Sequence, residues 1–312
     1  IEPGDKALVV NTGYFGDRFA AILERYGAQV TQVKAPLGSA PTAAEVEAAL
    51  SRGSFKLVAA THVDTSTSVL TDAQGIAAAA RRHGALCVVD GVCATAGEEC
   101  RQEEWGIDVY LTASQKAIGV PPGLALLVAS PRAIEAWRAR KTPVLNYYAD
   151  FGNWLPIMEA YLARRASYFA TPAVNLIYAL DVSLAHILAE GLEARFQRHR
   201  RLSAACKAGI EALGLVQVAR PGLAANTMTA PYFPEGVGPE LVKAILEAGV
   251  IVAGGLHPEI RARYFRIGHM GSVGAGDILA TLAAVEQGLW QVGYAFEPGC
   301  AVAAAQRALL TA

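Results

Sequence analysis

Strand-like segments alternate with helical segments along the first part of the chain. Four short segments are predicted as strands: residues 6–10, 29–33, 56–61 and 85–90. After the first of them, Phe19, Ile22 and Tyr26 recur at helical spacing, which predicts an amphipathic helix that ends at Gly27. This alternation predicts an α/β fold in which right-handed crossovers build a doubly wound, mainly parallel sheet.

The rest of the chain predicts a long helical stretch and then a smaller α/β unit. Residues 175–213 have helical spacing almost throughout, with Gly191 as the expected bend, whereas residues 147–154 are aromatic and irregular. Further strands are predicted at 216–218, 227–230, 250–252 and 264–267, and further helices at 239–247, 276–287 and 301–311. We therefore expect a large domain at 1–190 and a small C-terminal domain at 191–312.

The composition and charge of the chain limit the kinds of molecule that it is expected to bind. The chain has 312 residues, a formal net charge of −1 and 53% hydrophobic residues. The near-neutral charge argues against nucleic acid or an anionic membrane as the main partner. Apolar runs stay short of the ~18 to 20 residues that span a membrane. Much of the apolar fraction is alanine, which predicts a surface buried between subunits.

The cysteines and histidines predict neither disulfides nor a metal site. Five cysteines without C-x-x-C spacing fit reduced thiols in an intracellular enzyme, with the cytoplasm expected and a mitochondrial or peroxisomal location left open. Six scattered histidines lack the H-x-x-x-H spacing of a helical metal site. The basic run at 195–201 predicts a solvated helix face, and His199 within it is expected at the surface.

One lysine and one aspartate follow predicted strands. Lys116 lies between the strand-like residues 108–113 and a Gly/Pro-rich turn, and Asp90 ends the apolar run 85–90. Because the carboxyl ends of parallel strands carry the ligand sites of α/β enzymes, both side chains are expected at one edge of the sheet. A partly desolvated lysine attacks an aldehyde more readily, and a carboxylate can keep a pyridine nitrogen protonated. If each residue is considered alone, the competing interpretation is a solvated loop lysine for Lys116 and a turn residue for Asp90.

Three segments carry a resemblance to a known family: THVDTSTSVL, VVDGVCATAGEE and SQKAIGVPPGLAL. They resemble the class V aminotransferases of pyridoxal-phosphate fold type I, and among these the alanine–glyoxylate and serine–pyruvate aminotransferases. The match runs from Ile1 to about residue 289. It implies transamination of alanine or serine with glyoxylate or pyruvate, through a Schiff base between Lys116 and pyridoxal phosphate. It also implies that a helix and a phosphate-binding turn precede Ile1, so the chain is expected to lack its N-terminal part.

The resemblance assigns roles to further residues. Asp90 would bind the ring nitrogen, Arg266 the substrate carboxylate, and freed Lys116 would act as general base and acid. The remaining residues implied in cofactor binding are Phe15 and Val92 on the two ring faces, Thr65 at the phenolic oxygen, and Gln115, Tyr168 and Thr171 at the phosphate. Tyr14 competes with Phe15. Asp64 and Ser68 depart from the family's usual Glu and Gly, which leaves the conformation of that turn open.

Two of the implied residues concern a second subunit. In the family, the residues matching Tyr168 and Thr171 reach the neighbouring subunit's cofactor, so a homodimer with shared active sites is expected. Core or interface packing is the competing role for Tyr168.

Two other functions of the chain stay open. A class V lyase such as a cysteine desulfurase would need a mobile-loop cysteine, and between Lys116 and Arg266 the chain has only Cys206, on a predicted helix. A chain without the phosphate turn would be catalytically incomplete.

Overall fold

The computed structural model describes residues 1–311, which form eleven strands and eleven helices. The strands are β1 Lys6–Asn11, β2 Gln29–Lys34, β3 Leu57–Thr61, β4 Val63–Asp64, β5 Val69–Leu70, β6 Leu86–Asp90, β7 Val109–Ala113, β8 Ala125–Ala129, β9 Met228–Thr229, β10 Ala253–Gly254 and β11 Phe265–Gly268. The helices are α1 Tyr14–Arg25, α2 Ala43–Leu50, α3 Ala73–Arg82, α4 Gln102–Trp105, α5 Pro131–Arg138, α6 Phe151–Leu162, α7 Val174–Glu190, α8 Leu192–Ala212, α9 Glu240–Glu247, α10 Ala275–Gln291 and α11 Cys300–Thr311.

A six-stranded sheet dominates the first part of the chain. Its strand order is β2-β1-β3-β6-β7-β8, and every neighbouring pair is parallel except β7 and β8. The parallel strands are connected through helices, as βαβ crossovers require. This confirms the predicted doubly wound, mainly parallel α/β sheet.

Both faces of the large sheet are buried because its central strands are apolar at successive positions. On β1, Leu8 and Val10 pack in one cluster with α2 and α3, while Ala7 and Val9 pack in another with α1. The β3 and β6 side chains divide between the same two clusters. Since successive strand residues point to opposite faces, this division fixes the register of the strands. The same division determines on which face of the sheet each side chain at the end of a strand lies.

The helices follow the predicted boundaries closely, with one clear exception. Thr42 and Glu45 form the predicted capping box at the start of α2, and Pro131 opens α5. The irregular segment predicted at 147–154 is partly helical instead, because α6 begins at Phe151, is capped by Asp150 and contains Pro156. Its mixed aromatic composition hides the helical spacing, since only Ile157 and Ala160 are buried.

The long helical stretch is bent at Gly191, as predicted. Gly191 has a φ of 83°, which favours glycine, and separates α7 from α8. Beyond it, α8, α9, α10 and α11 enclose a separate core that includes Leu241, Phe265 and Leu282. The division into domains at 190/191 stays a prediction. Within residues 1–311 no single helix is long and apolar enough to cross a membrane; α7 and α8, which meet at 86°, pass that test of length and composition only as a pair.

The strands of the smaller unit are shorter than predicted. β9 lies within its predicted segment and β11 is displaced by one residue from 264–267, but residues 250–252 are not a strand and β10 follows them. Residues 216–218 contribute an isolated bridge between Gln217 and Pro231. These segments are held by neighbouring loops more than by strand pairing, which apolar content alone does not reveal.

The basic run in α8 differs from its prediction. Arg195 is 3% exposed and His199 is fully buried, so this part of the helix is not a solvated face. Arg200, between the other basic residues, is exposed. The prediction of a surface position for His199 is therefore wrong, because Arg195 and His199 fall on the inward side of α8, with Leu202 and Cys206.

Candidate active site

Asp90 lies at the carboxyl end of β6, in the middle of the large sheet. Its register partners are Thr61 on β3 and Leu111 on β7. Asp90 lies two positions after Val88 and therefore on the same face of the sheet, the face that packs on α1. Gly91 follows immediately, and a Cβ there would overlap the Tyr110 ring. The chain can therefore turn tightly after Asp90, which leaves the carboxylate at the strand end.

The surroundings stabilise the negative charge of the Asp90 carboxylate only in part. Its Oδ1 accepts a 2.8 Å hydrogen bond from the backbone N–H of Val92. Burial raises the pKa of Asp90, and the charge of Asp64 raises it further, against that hydrogen bond. Neither Asp90 nor Lys116 takes part in an ion pair with another described residue. A cationic N–H group is the partner that such a carboxylate lacks.

Lys116 follows β7, the strand beside Asp90's, in a loop whose base is fixed by Ser114. The Ser114 hydroxyl donates to the carbonyl of Pro121 at 2.8 Å, and its backbone bonds Val120 and Leu124. Gly119, with a φ of 80°, donates its N–H to the Lys116 carbonyl at 2.9 Å. Lys116 is half-buried within this loop. The backbone thus holds the lysine in place while its side chain stays partly accessible.

A buried thiol marks where several predicted site residues meet. Cys93 is 1% exposed, and burial raises the pKa of its thiol. The Thr65 hydroxyl and the charge of Lys116 oppose that rise. The thiol in turn acts on Arg266, where burial lowers the pKa and the charges of Tyr264, Cys93 and Asp64 oppose the change. The charges of Lys116 and Arg266 and the Thr65 side chain are therefore electrostatically coupled to Cys93.

Asp64 fixes the turn that carries Phe15. Its Oδ2 accepts the backbone N–H of Phe15 at 3.1 Å, and its Oδ1 accepts the N–H of Ser66 at 2.8 Å and the hydroxyl of Ser66 at 2.6 Å. The carboxylate therefore caps the start of α1 from another loop, which suits the helix dipole. Burial nevertheless raises the pKa of Asp64 above its ordinary value. Phe15 lies edge-on to Tyr14, with ring centroids 5.4 Å apart.

Arg266, on β11, reaches back to the large sheet. Its Nε donates to the Gly254 carbonyl at 2.9 Å and its Nη1 to the Thr65 carbonyl at 3.3 Å. The Tyr264 hydroxyl donates to the carbonyl of Ser66 and accepts the N–H of Leu256 at 2.8 Å. These bonds place the guanidinium beside the Thr65 turn. Its remaining N–H groups are left for an anion such as a carboxylate.

The other predicted residues divide into two groups. Val92 is half-buried in the turn after Asp90, and Gln115 is exposed beside Lys116. Tyr168 and Thr171 bond each other through their side-chain oxygens at 2.8 Å, on a surface where Tyr168 is 71% exposed. Within residues 1–311, neither of them bonds another predicted site residue. The fold therefore brings Asp90, Thr65, Lys116 and Arg266 into one region and leaves Tyr168 and Thr171 open on the surface.

The residues at this edge of the sheet fit pyridoxal phosphate. A half-buried carboxylate without a cationic partner among the described residues matches a protonated ring nitrogen, a half-buried amine matches an aldehyde, and the buried Oγ1 of Thr61, which has no hydrogen-bond partner there, lies in register with Asp90. No group of three or more His, Cys, Asp or Glu side chains in the described part of the chain is arranged to hold a metal ion. A cavity of about 770 Å³ lies at the opposite, amino-terminal edge of the sheet, lined in part by Lys6 and Lys56.

Two residues of the site were not predicted from the sequence. Cys93 follows Asp90 by three positions, so the tight turn after Gly91 returns it to the same region; this spacing was the available signal. Asp64 was noted only as a substitute for glutamate. Its role as a cap for α1 depends on a contact 49 positions away in the chain, which no local pattern carries.

Comparisons with known proteins agree with this geometry. Residues 1–270 match the family model described as aminotransferase class V. The alanine–glyoxylate aminotransferase 1 of Saccharomyces cerevisiae is 41% identical over 86% of this chain and 71% of its own length. The L-aspartate–glyoxylate aminotransferase of Paracoccus denitrificans is 35% identical over 98% and 77%. The crystal structure of ureidoglycine–glyoxylate aminotransferase from Bacillus subtilis superimposes with a TM-score of 0.91 at 30% identity, covering 99% of this chain and 79% of that one.

Proposed function

Because this chain belongs to the class V aminotransferases, fold type I enzymes that use pyridoxal phosphate, we propose that it transfers the amino group of a small amino acid to glyoxylate. The observation that carries the proposal is the carboxylate of Asp90, which has no cationic partner among the described residues and lies on the strand next to the one that leads to Lys116. Relatives whose names include glyoxylate support the acceptor. Alanine or serine is the proposed donor, and pyruvate is a second acceptor.

When bound, pyridoxal phosphate supplies an aldehyde that takes up the amino group and a ring that absorbs the electrons of the α-carbanion. Asp90 would accept a hydrogen bond from the protonated ring nitrogen and so keep the proton there, because no cationic side chain among the described residues pairs with its carboxylate. Lys116 would hold the cofactor covalently and, once released, move a proton at the α-carbon of the amino acid. Phe15 and Val92 would enclose the ring.

The polar residues around the ring would orient the cofactor and the substrate. Arg266 would bind the substrate carboxylate with the N–H groups that Gly254 and Thr65 leave free. Thr65 would bond the phenolic oxygen, and Gln115 the phosphate. These contacts would fix the α-carbon within reach of Lys116, which is the geometric requirement for proton transfer.

We propose a homodimer in which Tyr168 and Thr171 complete the partner's phosphate site. Support comes from the large apolar side chains left exposed in the segment 145–188, which contains both residues, because such exposure is unusual for a surface that stays in water. They include Leu145, Tyr147, Tyr148, Met158, Tyr161, Leu162, Tyr178, Val182 and Leu188. The five free cysteines support an intracellular location.

A cysteine desulfurase activity is less well supported. Cys206, the cysteine between Lys116 and Arg266, is fully buried in α8. Cys93 is also buried, and burial raises its pKa, so it is not the exposed thiolate that a desulfurase needs.

The decisive experiment adds pyridoxal phosphate to the purified protein and follows its visible absorbance. Wild-type protein should develop the band of covalently bound cofactor, and reduction with borohydride should fix the cofactor mass on the peptide that contains Lys116. Lys116→Ala should show neither result and should lose transaminase activity. Lys141→Ala, which changes an exposed lysine, serves as the control.

The outcomes separate the candidate functions. A covalent band that survives in Lys116→Ala would end the assignment of Lys116. A wild-type protein without any band would indicate a catalytically incomplete chain. Assays with a panel of amino donors and oxo-acid acceptors would then identify the substrates.

A further inference from the structure

A largely buried ionic cluster lies where the end of α7 meets the first turns of α8, next to the candidate active site. It consists of Glu190, Arg195, Arg198 and His199, which we call the α8 cluster. Arg195 is 3% exposed and His199 0%, and Glu190 and Arg198 are half-buried. Burying two guanidinium groups is costly unless each donor finds an acceptor. The acceptors are mainly backbone carbonyls of the loops that bear the proposed catalytic residues.

Arg195 bridges the two loops that follow β6 and β7. Its Nε donates to the carbonyl of Ala96 at 2.8 Å, and its Nη2 donates to the carbonyl of Ala117 at 2.7 Å. Ala117 directly follows Lys116, and Ala96 ends the turn that begins after Asp90. Ala96 has a φ of 63°, a conformation that a non-glycine residue adopts only when its surroundings hold it there. One planar side chain therefore sets the separation of the two loops.

Arg198 connects the same cluster to the turn behind Arg266. Its Nη2 donates to the carbonyl of Gly271 at 3.0 Å and its Nη1 to the carbonyl of Val273 at 2.8 Å. Glu190 binds both arginines, at 2.7 Å from Arg195 and 2.6 Å from Arg198. The hydrogen bonds from Arg198 and Arg195 hold the pKa of Glu190 at about 2, so the carboxylate stays charged.

His199 completes the connection as a neutral ring. Burial lowers the pKa of His199 to about 4. Its Nδ1 donates to the Arg195 carbonyl at 2.8 Å, and its Nε2 accepts the N–H of Gly271 at 3.0 Å. Gly271 itself packs on Ala117, since a Cβ at Gly271 would lie 3.4 Å from the Ala117 carbonyl oxygen. The turn behind Arg266 and the loop of Lys116 therefore meet at this cluster.

We propose that the α8 cluster is a positioning device that sets the spacing between the Lys116 loop, the turn after Asp90 and the turn behind Arg266. Arg195 is its central member, because it alone bonds both catalytic loops. The hydrogen bonds of the cluster described above go to its own members and to the backbone of Ala96, Ala117, Gly271 and Val273, so it would act through the loops that carry the proposed site residues. This inference rests on the proposed roles of Lys116, Asp90 and Arg266.

The test compares Arg195→Ala and Arg195→Lys with wild-type protein. A lysine ammonium lacks the planar fork that spans Ala96, Ala117 and Glu190, so partial rescue is expected. A displacement of the loops by about 1 Å lowers kcat by on the order of 100-fold. The visible circular dichroism of the bound cofactor should weaken, its dissociation constant should rise, and millimolar guanidinium should partly restore both in Arg195→Ala.

The matched control is Arg200→Ala on the same helix. Arg200 is exposed and bonds Glu193 at 3.2 Å, so this variant should keep wild-type dichroism, cofactor affinity and kcat and should not respond to guanidinium. If Arg195→Ala does not fold, Arg195→Lys decides the question by the same three measurements.

The outcomes distinguish a positioning role from a merely structural one. A folded Arg195 variant with a lower Tm but wild-type dichroism, cofactor affinity and kcat would overturn the inference. A wild-type protein that binds no cofactor covalently through Lys116 would instead overturn the proposed function, whatever the Arg195 variants do.

Discussion

Asp90→Asn should stabilise the cofactor-free protein while it impairs the enzyme. The substitution keeps the shape of the side chain and an oxygen that accepts the Val92 N–H, bonded at 2.8 Å in the wild type. It removes a negative charge that has no cationic partner among the described residues and that the nearby charge of Asp64 disfavours. Functional sites often retain such a cost because the ligand repays it.

The size of the effect follows from the burial and the missing partner. A buried polar group without its partner costs about 1 to 3 kcal/mol. Because the Val92 bond survives and the side chain is only half-buried, we expect a gain in the free energy of unfolding of about 1 kcal/mol. That gain corresponds to a rise of about 2 °C in Tm for a protein of this size.

The pH dependence of the stability gives the sign of the Asp90→Asn effect independently. Burial raises the pKa of Asp90 in the folded state, so the folded protein holds this proton more tightly than the unfolded chain. The stability that the protonated group contributes is therefore present at low pH and lost as pH rises from the ordinary value of 3.8 through the raised pKa. Asp90→Asn does not titrate there, so its advantage over wild type should grow with pH.

The assay is thermal unfolding followed by far-ultraviolet circular dichroism, with and without pyridoxal phosphate. With the cofactor bound, the order should reverse, because the carboxylate then pairs with a protonated ring nitrogen, and kcat should fall by on the order of 100-fold. Asp17→Asn is the control. Burial raises the pKa of Asp17, but Lys34 and Asn11 together outweigh burial and hold this pKa below its ordinary value. That variant should lose up to about 1 kcal/mol.

A lower Tm for cofactor-free Asp90→Asn at neutral pH, or a difference from wild type that shrinks as pH rises, would refute this reasoning. Either result would mean that other groups already stabilise the negative charge of Asp90 in the absence of the cofactor.

Two further predictions concern the substrate and the partner subunit. Arg266→Lys should raise the KM for the amino donor by about tenfold or more with a smaller change in kcat, because an ammonium lacks the fork that matches a carboxylate; an unchanged KM in steady-state assays would argue against the clamp. Tyr168→Phe should bind the cofactor more weakly in equilibrium titrations, and mixing it with Lys116→Ala chains should restore activity, since a mixed dimer has one site free of both changes. No gain on mixing would contradict shared sites.

The large sheet was predictable because its central strands are apolar on both sides. In β1, β3 and β6 each successive residue enters one of two cores, so the sequence shows continuous apolar runs of strand length. The positions of Asp90 and Lys116 follow from the same pattern, since Asp90 ends β6 and Lys116 lies three residues after the end of the neighbouring strand β7. Their chemistry was predicted from residue type together with that placement.

The features that were missed depend on contacts distant in the chain. The inward face of α8 repeats at Arg195, His199, Leu202 and Cys206, a helical spacing in which two charged or polar residues occupy core positions. Their charge predicted exposure, but backbone carbonyls of loops about 80 to 100 positions earlier satisfy the Arg195 donors. The Asp64 cap on α1 has the same origin. A pattern in one segment cannot show which distant acceptors will meet it.

Among residues 1–311, β8, the last strand of the large sheet, has a neighbouring strand on only one side of its backbone. β8 pairs with β7 alone, Leu127 and Val128 are 52% and 61% exposed, and the Val128 carbonyl accepts a 2.9 Å bond from Gln102. An apolar strand of this kind is a template for any extended segment that meets it. Covering this rim therefore matters for keeping the protein dispersed at high concentration, and a lysine introduced at position 127 would discourage strand-to-strand association without entering either core.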